Sequence, residues 1–402
     1  MAGVEAVVNV RRMISLDEAR AVIAQNVQPL DAVRVPLAEA RGRVLREDIV
    51  APEDIPAFDR SAMDGYAVPL DDRSERFWIV AEIQPGAIGD VRIGAGECAR
   101  IFTGAAIPAG ASQVIMQEDT QRDGDTMIPT RRTLETHVRM RGEDAKRGAR
   151  LLAAGLQLGP AEVALLAQIG STQPLVSGPV RVLHITTGNE LVDPGQSPVP
   201  GQIRDSNSTL IAALLAERGA IVVRQARSGD SLEPLTRAIE KMDAAAWDLL
   251  LISGGASVGD FDFGTRALDR LGFEMRFDKI NLRPGKPLVF ATRGRQAAFV
   301  IPGNPVSHLV TFHVAITRAL ECFEGTAGDW SLVSAALRSE VPEDRRETWW
   351  PARLTPDSAE PLAWQSSGDL VGIAGVNALI RIASGTGSLA TGTKVACLRL
   401  RA

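Results

Sequence analysis

The chain has 402 residues, with 49 acidic and 44 basic side chains, a formal charge of −5 and a hydrophobic fraction of 45%. This size and composition predict a globular protein of about two to four domains, each with its own core. The negative charge disfavours bulk binding to nucleic acid or to an anionic membrane, and no run approaches the ~18 consecutive apolar residues of a membrane helix.

The three cysteines, Cys98, Cys322 and Cys397, are far apart and show no spacing typical of a zinc site. An odd, scattered set also argues against a disulfide framework, and the N-terminus lacks the pattern of a secretory signal. We therefore expect a cytoplasmic protein. The four histidines form no obvious ligand set and are interpreted as structural; they are His137, His184, His308 and His313.

The first segments of the chain predict a helix followed by short strands. Residues 15–25 have one apolar face, and Ser15 with Glu18 forms a capping-box pattern at its start. Residues 32–36 and 43–50 alternate like strands. From residue 51 to 63 the sequence is rich in proline and charge, and it leads through a turn at Asp64-Gly65 into a short strand.

A small all-β module follows, because short β segments are separated by clusters of Gly, Pro and Asp. These segments are residues 77–83, 97–102, 113–117 and 126–129. After a basic, glycine-punctuated stretch, residues 160–169 predict a helix with Pro160 in its first turn. We interpret the β module as an insertion in a discontinuous N-terminal domain.

From Pro179 the pattern alternates between strands and helices, which favours βαβ units on a mostly parallel sheet. The predicted strands are 180–185, 220–224 and 249–252, with further strands near 273, 288 and 298, and the predicted helices are 208–218, 232–242, 263–271 and 306–323. After Gly328 four β segments, 332–341, 348–354, 379–382 and 394–400, predict a final β domain.

Three strand ends in the α/β region carry unusual loops, at residues 186–190, 253–260 and 302–307. Ligands of open parallel sheets bind outside the carboxyl ends of the strands, and a glycine-rich turn between strand and helix suits an anion. This edge would then carry the carboxylates of Glu190, Asp230 and Asp260. Magnesium prefers oxygen ligands of this kind. The alternative is that each carboxylate only caps a helix.

A basic segment with Lys279, Arg283 and Lys286 could supply the positive potential that an anionic ligand needs, or it could be an ordinary solvated face. In the β module there are two interpretations of Thr103 and Asp59: a turn residue and a loop charge, or functional residues. Nothing in the local sequence decides between them.

Seven stretches taken together resemble the molybdenum insertase family, which comprises the bacterial MoeA proteins and the related gephyrin E domain. They are FDRSAMDGYAV at 58–68, IFTGAAIPAGASQVIMQED at 101–119, RGEDAKRGARLLAAG at 141–155, TTGNEL at 186–191, SGGASVGD at 253–260, RPGKP at 283–287 and PGNPVS at 302–307. They span most of the chain in order.

The resemblance implies an elongated, four-domain α/β and β chain that forms a homodimer. The expected domains are a discontinuous N-terminal domain at 1–50 and 138–178, an inserted β domain at 51–137, a molybdopterin-binding α/β domain at 179–327 and a C-terminal β-barrel-like domain at 328–402. It also implies a molybdopterin molybdenumtransferase, which inserts molybdate into adenylylated molybdopterin and releases AMP with the help of Mg²⁺. Transient contacts with the adenylyltransferase and with molybdoenzyme maturation factors are expected.

The resemblance also assigns roles to residues at matching motif positions. The catalytic set is Asp59, Thr103, Glu190, Asp230 and Asp260, of which Asp230 and Asp260 would bind the metal. The substrate-binding set is Gly254, Gly255, Ser257, Lys279, Arg283, Lys286, Pro302, Pro305 and Ser307.

Two departures from the family pattern stand out. Many relatives have Lys at the position of Arg283, and Pro351 stands where the family has a second arginine, so no ligand role is assigned to Arg346, Ser366 or Ser367. Two other functions compete with the leading one. The chain could be a pterin-binding carrier without catalysis, or a sister adenylyltransferase, which the additional N- and C-terminal domains disfavour.

Overall fold

The computed structural model describes residues 12–87, 90–255, 263–326, 328 and 330–400. Its chain divides into two compact units. The first contains the residues up to 46, residues 155–163 and those from 173 onward; the second contains residues 47–154 and 164–172. Ser257 and Asp260, both expected in the site, lie outside the described residues.

The first helix, α1 (Leu16–Asn26), begins at the predicted capping box. The Ser15 side chain accepts the N–H of Glu18, and the Glu18 carboxylate accepts the N–H of Ser15. Its apolar face is buried in the core of the α/β region. The next elements are β1 (Ala32–Arg34), α2 (Leu37–Ala40), β2 (Ile49–Val50) and β3 (Arg60–Ser61).

The second unit contains a six-stranded sheet in the order β7-β4-β6-β5-β9-β8. Its strands are β4 (Gly65–Val68), β5 (Phe77–Ile83), β6 (Glu97–Ile101), β7 (Gln113–Met116), β8 (Thr120–Asp123) and β9 (Thr126–Pro129), with a 3₁₀ turn at Gln117–Asp119. The fully buried side chains of Phe77, Ile101 and Met127 fill its interior. This sheet matches the predicted all-β module.

The chain then returns through β10 (Val138–Arg139), β11 (Arg150–Leu152), α3 (Pro160–Gln168) and β12 (Leu175–Ser177). These strands pair antiparallel with the strands that precede the sheet: β10 with β3, β11 with β2, and β12 with β1. The two flanks of the β module therefore run side by side, as an insertion requires. The β1–β12 pair belongs to the first unit and the other two pairs to the second.

The α/β region contains a second six-stranded sheet in the order β16-β13-β17-β21-β20-β18. Its elements are β13 (Arg181–Thr187), β14 (Leu191–Val192), β15 (Ile203–Arg204), α4 (Ser206–Glu217), β16 (Ile221–Ser228), α5 (Leu232–Asp243), β17 (Leu249–Ser253), α6 (Phe263–Arg270), β18 (Glu274–Phe277), β19 (Leu282–Arg283), β20 (Val289–Arg293), β21 (Gln296–Ile301), α7 (Pro305–Thr311), a π-helical turn (Phe312–Ile316) and α8 (Thr317–Glu324). Strands β16, β13, β17 and β21 pair in parallel, and β20 alone runs in the opposite direction, because it pairs antiparallel with both β21 and β18.

The central strand β17 is buried along its whole length. Leu249 and Leu251 pack into the core that also holds α1, whereas Leu250 and Ile252 pack into the core on the opposite face, against α5 and α6. An apolar run without alternation is the pattern of a strand covered on both faces, and β17 is such a strand.

The C-terminal strands close into a barrel. They are β22 (Leu332–Leu337), β23 (Glu347–Leu354), β24 (Ser358–Pro361), β25 (Ala378–Ile382) and β26 (Lys394–Arg399). The pairing runs β23-β24-β22-β26-β25 and returns from β25 to β23, so the five strands form a ring. Strand β19 of the α/β region pairs with β23 and joins the barrel to that region.

The predicted class, a chain with an α/β domain and separate β domains, is therefore confirmed. The four domain boundaries remain predictions. Cys98, Cys322 and Cys397 are buried free thiols, and burial raises the pKa of Cys98 to about 12. Within the described ranges, no helix combines the length and the apolar character needed to cross a membrane.

Candidate functional site

The candidate site lies at the carboxyl edge of the parallel strands. Strands β13, β17 and β21 are neighbours in the sheet and run in the same direction. They end at Thr187, Ser253 and Ile301, so the loops that follow these three residues leave from one edge. This is the position at which open parallel sheets bind ligands.

The turn after β17 depends on two glycines in a left-handed conformation. Gly254 has φ +94° and Gly255 has φ +68°. A Cβ on Gly254 would lie 2.6 Å from Oγ1 and 2.9 Å from the carbonyl oxygen of Thr187, so the two strand ends approach too closely for any larger residue. The N–H of Gly254 donates to Ile301 O at 2.9 Å. The N–H of Gly255, in contrast, donates to no backbone carbonyl among the described residues.

The hydroxyl of Thr187 is buried and has no hydrogen-bond partner within the described part of the chain. It faces both glycines, because the Cβ positions of Gly254 and Gly255 lie 2.6 Å and 3.7 Å from its Oγ1. A buried, unsatisfied hydroxyl is costly unless a ligand or a water completes it. Thr187 therefore marks a point at which a ligand atom can be held.

Two of the predicted carboxylates, Asp230 and Glu190, belong to loops that are hydrogen-bonded to each other at this edge. Asp230 follows β16 and accepts the N–H of Asn189 at 3.0 Å, while the Asn189 side chain accepts the N–H of Asp230 at 3.3 Å. Glu190, next to Asn189, is exposed. The sequence placed Asp260 with them, but that residue lies outside the described chain.

The described residues at this edge offer carboxylate oxygens, the ligand type that magnesium prefers, but no assembled metal site. In the ranges that the structure covers, no three His, Cys, Asp or Glu side chains are gathered closely enough to enclose a metal ion. Mg²⁺ is commonly bound by one or two carboxylates and completed by water and substrate phosphates. Asp230 and Glu190 could provide such an incomplete set.

The basic segment does not act as one group. Lys286 is exposed, and the N–H of Ile280 donates to its carbonyl oxygen at 3.0 Å, which brings Lys279 and Lys286 to the two ends of one tight loop. Arg283 instead forms an ion pair with Asp344 at the barrel. Burial alone would raise the pKa of Asp344, but the Arg346 amide and the Arg283 guanidinium hold it below its usual value. Arg283 thus has a structural partner that the sequence did not reveal.

The loop after β21 enters α7 at Asn304, and Pro305 occupies the first turn. Pro302 and Ser307 are buried. The Asn304 amide donates to Ser367 Oγ at 2.7 Å, and Val306 N–H donates to Ser367 O at 2.9 Å. The structure therefore brings Ser367 of the C-terminal region to the candidate site, although the sequence pattern gave it no role.

Asp59 and Thr103 lie in the other unit, and both are held by local hydrogen bonds. Asp59 accepts the N–H of Arg141 at 2.7 Å. Thr103 donates from its N–H and its hydroxyl to one carboxylate oxygen of Asp64, each at 2.7 Å. These two bonds lower the pKa of Asp64. Sequence reasoning missed Asp64 because the Asp-Gly pair indicated only a turn.

Three family models match successive parts of the chain. They are described as the MoeA N-terminal region (domain I and II), a probable molybdopterin binding domain and the MoeA C-terminal region (domain IV), at residues 14–170, 184–321 and 334–400. The candidate edge of β13, β17 and β21 lies in the second of these matches.

The chain is also similar to curated and solved proteins along nearly its whole length. It is 34% identical to a molybdopterin molybdenumtransferase of Nostoc sp., covering 96% of this chain and 94% of that protein. It is 32% identical to the protein of the same name from Bacillus subtilis, covering 97% and 95%. It superposes on a crystal structure of a molybdopterin biosynthesis MoeA protein from Pyrococcus horikoshii with a TM-score of 0.83 at 26% identity, covering 96% of this chain and all of that one.

Proposed function

Because the chain belongs to the MoeA family, we propose that it is a molybdopterin molybdenumtransferase that inserts molybdate into adenylylated molybdopterin and releases AMP. The observation that carries this proposal is that three strand-end loops leave from one edge of the sheet, where the Thr187 hydroxyl is buried without a partner among the described residues. This edge lies within the part of the chain that matches a probable molybdopterin binding domain. The alternation of strands and helices predicts a sheet, but it does not show which end of the strands binds the ligand.

The glycine turn binds the anionic part of the substrate. Within the described residues, Gly255 N–H and the Thr187 hydroxyl are donors without a partner at this turn, and the left-handed glycines let the phosphate approach the backbone closely. Lys286, with Lys279 at the other end of its loop, attracts molybdate, which is a compact oxyanion and suits ammonium groups acting as point charges.

Carboxylates are the groups that would hold the metal. Asp230 and Glu190, together with Asp260, would bind Mg²⁺. A bound Mg²⁺ would supply charge stabilisation for the phosphate of the leaving AMP. The Asp230 carboxylate accepts the N–H of Asn189 and the Asn189 side chain accepts the N–H of Asp230, so the two residues hold each other in place.

We further propose that the protein works as a cytoplasmic homodimer and makes transient contact with the adenylyltransferase and with maturation factors. Three buried free thiols support a reducing compartment. The proposal of a dimer rests on the resemblance to the family, which assigns functional positions to Asp59 and Thr103 as well as to the strand-end loops.

The test is direct measurement of AMP. Purified protein is incubated with adenylylated molybdopterin, molybdate and Mg²⁺, and AMP is quantified by chromatography. We expect AMP release that depends on molybdate. A carrier would bind the pterin nucleotide without releasing AMP, and an adenylyltransferase would consume ATP; either result would exclude the proposal.

Asp230→Asn tests the metal role. Asparagine still accepts the N–H of Asn189 but removes the charge, so the variant should fold and bind the pterin nucleotide while AMP release falls by at least about tenfold, as expected on losing a charged metal ligand. The control is Asp193→Asn, which neutralises an exposed carboxylate paired with Arg227 near the same edge. Equal activity of the two variants would contradict a metal role for Asp230.

A further inference from the structure

Three buried side chains beneath the glycine turn form a hydrogen-bonded chain that the proposed reaction does not use. The Oγ of Ser253, the last residue of β17, lies 2.8 Å from Nε2 of His184 and 2.8 Å from Nε2 of His308. All three residues have 0% of their surface exposed. His184 belongs to β13 and His308 to α7, so the chain connects three elements that carry the site.

One end of this chain fixes the proton on His184. Gln225 Nε2 lies 2.8 Å from Nδ1 of His184 and 3.1 Å from the carbonyl oxygen of Ser208. A carbonyl oxygen only accepts hydrogen bonds, so the Gln225 atom at this place is the amide nitrogen. It donates to Nδ1 of His184, which leaves the proton of the neutral ring on Nε2. His184 therefore donates to Ser253.

The other end fixes His308 independently. Its Nδ1 lies 3.0 Å from the carbonyl oxygen of Asn304, so Nδ1 carries the proton and Nε2 accepts. The acceptor at Nε2 takes the hydroxyl proton of Ser253. A hydroxyl can accept one bond and donate another, so Ser253 satisfies both imidazoles while both stay neutral. Burial, which lowers the pKa of His184 to about 3 and of His308 to about 4, agrees with two neutral rings.

The hydrogen-bonded series His184–Ser253–His308 contacts the loops of the candidate site at both of its ends. Ser253 directly precedes Gly254, whose N–H donates to Ile301 at the end of β21. Asn304, the acceptor for His308, holds Ser367 through its side chain. A change in the ring of His308 would thus be transmitted to the glycine turn on one side and to the Asn304 loop on the other.

We propose that His184, Ser253 and His308 are positioning residues, which hold the Gly254–Gly255 turn and the Asn304 loop in the arrangement that receives the anionic substrate. The identity of that substrate rests on the proposed function. Ser253 does not touch the substrate, because both hydrogen bonds of its hydroxyl are made inside the core. The Ser253 side chain, at the start of the Ser-Gly-Gly sequence, points into the core and binds the two imidazoles.

The first test needs no variant. Protein labelled with ¹⁵N-histidine should show His184 as the Nε2–H tautomer and His308 as the Nδ1–H tautomer, both neutral between pH 8 and about pH 5, since their pKa values lie below their usual range. The two sites are assigned from His184→Asn and His308→Gln samples. Identical tautomers at the two sites, or a charged ring at pH 6, would overturn the proposal.

The second test separates the two ends of the His308 ring. A Gln side chain places an amide atom where the imidazole has Nε2, and an Asn side chain places one where it has Nδ1. His308→Gln can thus still accept from Ser253, whereas His308→Asn can only reach Asn304. We expect KM for adenylylated molybdopterin to rise about tenfold in His308→Ala and His308→Asn, the effect of one lost hydrogen bond near the upper end of the usual range, and to stay within about threefold in His308→Gln. The value of kcat should change less than KM.

Amide exchange provides a readout that does not depend on activity. In His308→Ala, peptides covering 249–255 should exchange faster than in the wild type, and in His308→Gln they should not. The matched control is His313→Ala, which removes another largely buried imidazole, one with no contact to Ser253 within the described residues. If His313→Ala has the same effects as His308→Ala, or if Gln rescues no better than Asn, the positioning role is refuted. If the wild type releases no AMP, the proposed function fails, while tautomers and amide exchange still decide on the positioning role.

Discussion

At the scale of single residues, Gly254 is the position at which the site tolerates least change. It combines a positive φ with a carbonyl and a hydroxyl of Thr187 within 3 Å of its missing Cβ. We expect Gly254→Ala to lower the melting temperature and to abolish most pterin-nucleotide binding, because the backbone of β13 must shift to make room. Thermal unfolding and titration with the nucleotide would measure both effects.

Gly392 provides the control for this substitution. Its φ is +87°, and nothing lies within 4 Å of its Cβ position, so Gly392→Ala adds backbone strain without a steric clash. The left-handed conformation alone costs an L-residue roughly 1–2 kcal/mol. If Gly254→Ala destabilises the protein no more than Gly392→Ala and leaves binding intact, the close approach of the two strand ends has no functional meaning.

The sequence identified residue types at this scale but not their partners. The SGG and PGNP loops were foreseeable because they interrupt apolar strands with glycine and proline. The ion pair of Arg283 with Asp344 was not, since 61 residues separate the two along the chain. The same holds for His184 and His308, which meet only because β13 and α7 pack on either side of Ser253.

At the scale of elements, periodicity predicted most of the α/β region. The uninterrupted apolar run at β17 was sufficient to predict a buried strand, and the amphipathic faces of α1 and α5 were sufficient to predict helices. Two features were missed. Residues 289–301 form an antiparallel hairpin because Gly294 makes a turn with φ +58°, and the helix after Asn304 contains a π-helical turn. Both depend on local hydrogen bonding that apolar spacing does not encode.

Helix α8 leads to a prediction about pH. Burial, partly offset by Arg218 and Arg43, raises the pKa of Glu324 to about 7. An unfolded glutamate titrates near 4.5, so the folded state keeps the proton that the unfolded state loses. The stabilising contribution is therefore complete below pH 4.5 and is lost as pH rises through 7.

We expect Glu324→Gln to show a smaller fall in melting temperature than the wild type when pH is raised from 5 to 8. The difference should be at least about 2 °C, because 1 kcal/mol shifts the melting temperature of a domain of 150–250 residues by roughly 2–4 °C. The control is Glu217→Gln. Glu217 is an exposed carboxylate that lines the same surface cavity as Glu324, and its variant should follow the wild-type curve. Parallel curves for all three proteins would show that Glu324 titrates like an exposed acid.

At the scale of the whole molecule, sequence reasoning was strongest for the class of each region and weakest for how regions cooperate. Glycine and proline clusters predicted an all-β module, and the fading of the helical pattern after Gly328 predicted a β domain. That this domain closes into a barrel, through the β23–β25 pair, was implied only by the resemblance, since the residue pattern does not encode which strand edges meet. The pairing of β19 with β23, which joins the barrel to the α/β region, was equally invisible in the sequence.

The proposed homodimer predicts complementation between subunits. Asp59 lies in one compact unit and the strand-end loops in the other, so a site that uses both can be assembled from two chains. Asp59→Ala and Asp230→Ala proteins should each be inactive, but mixing them with subunit exchange should restore up to about one quarter of the wild-type AMP release, because half of the dimers are mixed and each mixed dimer contains one intact site. Subunit exchange is verified with differently tagged chains. The control is a mixture of Asp59→Ala with Thr103→Ala. Both changes lie in the same unit, so no dimer of this mixture contains an intact site. Mixed dimers that stay as inactive as their parents would contradict a site shared between two subunits.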